Sequence, residues 1–544
     1  MLAFLFIFAA VFFTLCYKYY GRFLIETFLL DDKKKTPANT LYDGIDYCPT
    51  HPAVLLGHHF SSIAGAGPVV GPITAAAMFG WLPAYIWCLI GSAFLGGPHD
   101  AGALIASIRH DGKSMGEVVA RWIGRKGKIL FLCFTILALV LVVAVFLQLA
   151  ASTMAGDPAV AFSAVLYMGM AVLFGILVYR YNVSLVLVTV VMVPIILGAC
   201  WFANIYPAIT APFVFSMETW RWILVVYILA ASVLPVWILL QPRDYLASYF
   251  LYFAVIIGAI GMIFGTSFEV KLPAFKGFTA GVHNDQYLWP MLFVVVACGA
   301  ISGFHSLVGS GTTSKQLRNE TDSILVGYGS MLLEGLVAVI SIGTLMISGV
   351  IAEGGPVMTY AQGFGLFGKL IGIDPKIGVS LGALAINSFI LTSLDTATRL
   401  TRYQIQELAD YKIDKYTATI IAVVGAMALL LIKTVGPGGK IIPAWLAIWP
   451  IFGAANQLVA ALAFLTLGVW IMKSTKKSAN FVMYPMWFML VTTIAALVLM
   501  IKEQVVSVAP NYLLVVISII LMILAGLMVK ESFNALKPGH EIKN

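Results

Sequence analysis

Charge is what this chain has least of. Only 11% of its 544 residues are Asp, Glu, Lys or Arg, where a soluble domain carries about a quarter, so a fold with an ordinary water-facing surface is excluded. Cysteine is scarce too. Cys16, Cys48, Cys88, Cys133, Cys200 and Cys298 lie scattered, mostly in apolar runs, with no C-x-x-C pair. That argues against a disulfide frame or a metal knuckle and for small buried hydrophobes. No P-loop is present, so ATP-driven transport is not expected. No H-E-x-x-H and no i, i+4 histidine pair occurs, so a metal enzyme lacks its usual framework. The first apolar run has no basic residue before it and no small-residue cleavage site after it, which sets it apart from a signal peptide. The net charge of +8 is therefore read through topology, and no nucleic-acid partner is inferred from it.

What fills the chain is hydrophobic sequence, 60% of residues at a mean hydropathy of +0.95. Runs of about 18 residues or more recur, each long enough for a ~30 Å hydrocarbon core. Fifteen spans are expected, near 2–17, 54–79, 81–108, 129–154, 159–178, 183–205, 222–241, 246–267, 288–314, 324–352, 377–398, 416–432, 441–472, 481–501 and 512–529. With the N-terminus outside, 25 of the 33 Lys and Arg fall on the cytoplasmic side, the asymmetry expected of a membrane protein. The expectation is an all-α polytopic membrane protein embedded in the lipid bilayer, Met1 periplasmic and Asn544 cytoplasmic.

Four spans are irregular. Span two, "HHFSSIAGAGPVVGP", breaks at Gly65-Ala66-Gly67-Pro68. Span three carries "GGPHD" (96–100), whose Pro98 argues against a regular helix. Span seven contains Pro235 near its middle and Pro242-Arg243-Asp244 at its inner end. Span nine reads "GAISGFHSLVGSGTTSKQ", where Ser302, His305, Gly309, Thr312, Thr313 and Gln316 share one face if it is a helix. Irregular backbone survives in a membrane only inside protein or beside a wet cavity. Two interrupted helices in antiparallel positions, here spans two and seven, point to an inverted-repeat transporter with its site at the bilayer midplane.

These blocks, with "QPRDYL", "LTSLDTATRLTRYQ" and "WPIFGAANQLVA", resemble the carbon starvation protein A (CstA) family. The resemblance runs from His58 to Ala460, most of the chain. It implies a bacterial inner-membrane secondary transporter with a LeuT-like five-plus-five inverted repeat, associated with pyruvate–proton symport and with peptide uptake during starvation. On that reading 1–50 is an extra helix and loop. The two repeats are 51–220 and 221–400, with span seven the inverted partner of span two and span nine a facing scaffold helix. Residues 401–544 are then additional helices. No cofactor is implied.

The candidate residues follow from both lines. Freed N–H groups at Gly65, Ala66 and Gly67, with the Ser61 and Ser62 hydroxyls, could hold a carboxylate; the alternative is that the glycines let another span approach. Asp100, Ser302 and His305 join the substrate set. His58 and His59, adjacent on a helix, cannot face one cavity. With His99, Asp100 and His305 they are candidates to carry a coupling proton, because intramembrane ionisable groups are costly to keep and histidine titrates near neutrality. The same five could suit a metal, which would make the chain a membrane enzyme, the rival reading. A sodium ion is the other coupling option, held as in LeuT-like folds between the Ala64–Gly67 carbonyls and the hydroxyls of Ser310, Thr312 or Thr313. Arg243, Asp244, Asp395 and Arg399 are gate candidates, or salt bridges at helix ends. Glu334 is a lone carboxylate in span ten.

Overall fold

A computed structural model gives the fold; it describes all residues except 45, 236, 282–285, 432–433, 436–440, 443, 476–477, 507–510 and 538–544. Asn544, and so the expected side of the C-terminus, lies outside the described residues. Helix fills each expected span, numbered here accordingly: α1 Leu2–Phe28, α2a Pro52–Ala64 with α2b Gly67–Phe79, α3 (81–108), α4 Arg125–Gly156, α5 Pro158–Arg180, α6 Leu185–Ile205, α7 Met217–Val233 and α8 Leu240–Phe264. Then come α9a Leu288–Val296 with α9b Gly303–Gly311, α10 Ile324–Ser348, α11 Pro375–Leu408, α12 Lys415–Leu430, α13 Ala444–Thr475, α14 Asn480–Val506 and α15 Tyr512–Leu536. Eleven helices among the described residues are long and apolar enough to cross a bilayer, and the bent pair α2a and α2b makes a twelfth; α3, α7 and α12 are shorter or subdivided. Two short antiparallel ladders, with Thr279 opposite Tyr287 and Thr434 opposite Ile442, are the described strands.

The centre is built from two long helices. α4 and α11, of 32 and 34 residues, pack along each other. α11 is buried on every side for most of its length, the mark of an interior helix. Asp374 starts it by accepting the N–H groups of Lys376 and Ile377. α2a lies on α8 and α11, α2b on α9a and α10, and α9b on the second half of α3 and on α13. At the periphery α1 turns Phe4, Ile7, Phe8, Val11 and Leu15 outward, as a lipid-facing helix does.

Three local expectations change. Span three stays helical through Pro98, because a π-turn at Ser92–Gly96 takes up the register where the proline has no N–H to give. Span seven ends earlier than expected. α7 ends at Val233 and Leu234 is already extended, the conformation that the following proline favours; Pro242-Arg243-Asp244 therefore opens α8 and does not close α7. Span nine, expected as the facing scaffold helix, is the second broken span. Ala297 has φ +42 and Ser302 is extended, so its helical face begins only at Gly303 and is lost again after Gly311. The break in span two is as expected: α2a and α2b meet at 45° around Gly65, whose φ of +32 a side chain would strain. A helix at Pro356–Lys369, absent from the expected list, packs against α11.

Candidate functional site

Two chains of buried ionisable side chains converge on α2a and the break in span nine. The first starts in α3, where the π-turn carries Pro98 and sets His99 and Asp100 facing the core. His99 Nδ1 lies 2.8 Å from Asp100 Oδ1, and Asp100 Oδ2 lies 2.8 Å from His305 Nδ1 on α9b. His305 Nε2 then faces Glu334 Oε2 of α10 at 3.3 Å. All four side chains are fully buried. The lone carboxylate of span ten thus lies beside a histidine already bonded to another carboxylate, and among the described residues neither its oxygens nor the facing ring nitrogen has a hydrogen bond.

Proton counting sharpens this. A neutral imidazole has one N–H and one lone pair. With both carboxylates ionised, a neutral His305 can donate to Asp100 or to Glu334 but turns its lone pair on the other. The contacts can both be attractive only if Asp100–His305–Glu334 holds one more proton, on the ring or on a carboxyl. No Lys or Arg contacts the trio among the described residues to offer another remedy.

The second chain joins α2a to α8, α7 and α11. His58 Nδ1 is 3.2 Å from Asp244 Oδ2, which also accepts from the Ser62 hydroxyl at 3.2 Å. Ser61 donates to the Asp244 carbonyl. Arg243 Nη2 meets Asp244 Oδ1 at 2.7 Å, and Nη1 pairs with Asp395. Tyr227 donates to Asp395 at 2.6 Å, and the guanidinium also reaches the Leu391 and Thr392 carbonyls of α11. Arg243, Asp244 and Asp395 are completely buried, so the expected location of Arg243 and Asp244 at a helix end beside the cytoplasm is corrected: they begin a helix inside the protein.

The remaining expected residues separate. His58 and His59 point apart, His59 bonding Thr313 Oγ1 at 2.9 Å. The three hydroxyls proposed for sodium are engaged elsewhere: Ser310 with the Ser306 carbonyl and the Met115 N–H, Thr312 with the Val308 carbonyl, Thr313 with His59. The hydroxyl beside the break in span two is Ser393 of α11, which donates to the Ser62 carbonyl. Arg399 stands apart from Asp395, donating at 2.6 Å to the Ala231 and Leu234 carbonyls that end α7; cations belong at helix C-termini. Gly67 is a close-approach glycine, since a Cβ there would overlap Cys298. Ala66 beside it is buried. Among the described residues no three His, Cys, Asp or Glu converge as a metal would require.

A profile of the family described as Carbon starvation protein CstA matches residues 1–351 and 344–496. The chain belongs to this family. The peptide transporter CstA of Bacillus subtilis (strain 168) is 33% identical across 85% of this chain and 84% of its own. The peptide transporter CstA of Escherichia coli (strain K12) is 30% identical across 89% and 78%. The pyruvate/proton symporter BtsT of the same organism is 31% identical across 88% and 78%. These are names of transporters, not enzymes. Among solved structures, a mutant manganese transporter of Eremococcus coleocola covers 91% of this chain and 98% of its own at 10% identity and a TM-score of 0.49, a level that assigns no residue and no repeat boundary.

One block of the CstA signature, "WPIFGAANQLVA", holds residues the sequence did not single out. Asn456 of α13 bridges the break in span nine: its Oδ1 accepts the Phe304 N–H at 2.9 Å, and its Nδ2 donates to Ser302 Oγ at 3.0 Å and to Cys298 Sγ. Gln457 donates to the Phe293 carbonyl on α9a. An amide in an apolar helix was their only signal, and it does not say which backbone it serves. Tyr227 gave no signal at all among so many aromatic residues.

Proposed function

We propose that this CstA-family chain is a proton-coupled symporter that brings a small carboxylate such as pyruvate, or a short peptide, across the bacterial inner membrane, with Met1 on the periplasmic side. One observation carries the reading: Asp100 and Glu334 flank the two ring nitrogens of His305, deep in the protein and against the break of span nine, so that one extra proton would let both contacts be hydrogen bonds. A proton that binds there and leaves on the other side is a coupling ion. The name of the relative BtsT supports protons as the driving ion.

The two broken spans, α2 and α9, are assigned to the substrate, with Gly67 serving their contact at Cys298. Arg243, Asp244 and Asp395 are assigned to the gate that holds α2a. The paired halves of the transporter are centred on α2 and α9, the two broken spans.

The test is uptake into proteoliposomes of labelled pyruvate and of a labelled dipeptide. Accumulation of at least one is expected with an inward proton gradient and no sodium. Uptake that requires sodium and ignores the pH gradient would overturn the coupling, and uptake of neither compound would overturn the substrate class.

A further inference from the structure

The second ionic chain does not balance. Arg243 brings one positive charge to two carboxylates, Asp244 and Asp395, and all three side chains are fully buried. The remaining titratable contact is His58, 3.2 Å from Asp244 and itself 8% exposed. α11 also carries Arg399 and Arg402, but both are engaged with the carbonyls that end α7 and, among the described residues, neither forms an ion pair with Asp244 or Asp395. Tyr167 and Tyr227 contribute neutral hydroxyls to Arg243 and Asp395, Tyr252 of α8 lies beside Gly57, and His59 is bonded to Thr313. His305 on α9b and Glu334 on α10 belong to the other chain. With His58 neutral the cluster carries a net −1 in an apolar interior. With His58 protonated it carries none. An uncompensated buried charge is costly, so a charge on the His58 ring completes the docked cluster.

The same contacts hold a half-helix in place. α2a is set off from α2b by the 45° bend at Gly65, and three of its polar side chains face Asp244: His58 and Ser62, each 3.2 Å from the carboxylate, and Ser61, which donates to the Asp244 carbonyl. A break that lets α2a swing and a tie whose strength follows one proton together make a latch.

We propose that His58 and Asp244 form a second proton-binding site, distinct from the Asp100–His305–Glu334 trio, in which the proton on His58 docks α2a onto α8 and its loss releases the half-helix. The sign follows from the charges: docking is strongest at low pH, where the ring is charged, and weakens as rising pH removes that proton. The use of this latch in coupling rests on the transport reading; the docking itself does not.

Hydrogen exchange of residues 52–64 in the full-length protein in nanodiscs, at pD 6 and pD 8 with intrinsic rates divided out, tests it without any substrate. Wild type is expected to lose protection there by about tenfold or more at the higher pD, equivalent to about 1.4 kcal/mol, with no change in α13. His58→Gln should abolish the response. Asp395→Asn should abolish it too, for the opposite reason: Arg243 and Asp244 then balance without a proton, and α2a stays protected at both values. Equal wild-type protection at the two values, or a response that survives in His58→Gln, overturns the latch. Should neither variant fold, the wild-type measurement alone decides. A protein that shows the latch but takes up no substrate in proteoliposomes would retire the transport reading and leave this site standing.

Discussion

His305 has two ring nitrogens and a carboxylate against each, which makes Glu334 the informative position to change. A glutamine there offers an N–H to the ring and needs no shared proton. Glu334→Gln is expected to retain counterflow exchange of substrate while proton-driven accumulation falls by about tenfold per pH unit of gradient, the driving force of one proton; a full response in this variant would place the coupling proton elsewhere. Asn456 makes a structural prediction of similar sharpness. Asn456→Ala leaves the Phe304 N–H and the Ser302 hydroxyl without their buried partner, at about 1 kcal/mol or more each. Thermal unfolding in detergent should show a clear loss of stability, and an unchanged midpoint would mean that the break in span nine holds itself. Sequence alone showed that His99, Asp100, His305 and Glu334 were costly residues in a membrane. It could not show that they touch, because each contact but one joins different spans and no local spacing encodes it.

At the scale of single elements, the two broken spans were unequally legible. Span two announces itself with Gly65-Ala66-Gly67-Pro68, and a proline after glycines leaves little choice. Span nine breaks at Ala297-Cys298-Gly299-Ala300, where no proline marks the place and small residues read equally well as a close-packed helix. Pro235 misled in the other direction, since apolar residues on both sides disguise a connector as the middle of a span. The breaks meet at Gly67 and Cys298, and this contact can be tested. Gly67→Val forces a branched side chain into the Cys298 position, and overpacking typically costs about 1–3 kcal/mol. The variant is expected to unfold at lower temperature, and Cys298→Ala in the same chain should recover part of the loss. Recovery of none would show that the strain lies in the backbone of the break.

Across the whole molecule, hydropathy summed over about twenty residues is a strong signal, and every expected span contains helix. The amphipathic helix Pro356–Lys369 escaped because it is too polar to register as a crossing. The charge count treated Arg243 as a loop residue, whereas it is one of the most deeply buried side chains; without it, 24 of the remaining 32 Lys and Arg fall on the side expected to be cytoplasmic. Reporter fusions after Lys35 and after Lys128 are both expected to read cytoplasmic, and a periplasmic signal at either would reverse the orientation.

The arginines at the end of α7 have a mechanical consequence. Arg399 clasps the carbonyls of Ala231 and Leu234, Arg402 that of Ser232, and the Ser232 hydroxyl meets Thr419 of α12 at 3.1 Å. α7 cannot slide along α11 without stripping charged donors from a helix terminus, so these two helices and α12 travel as one girder. Whatever swings during turnover swings against that girder. A Ser232→Cys/Thr419→Cys cross-link should therefore be silent in transport, because it welds pieces that are already bolted together.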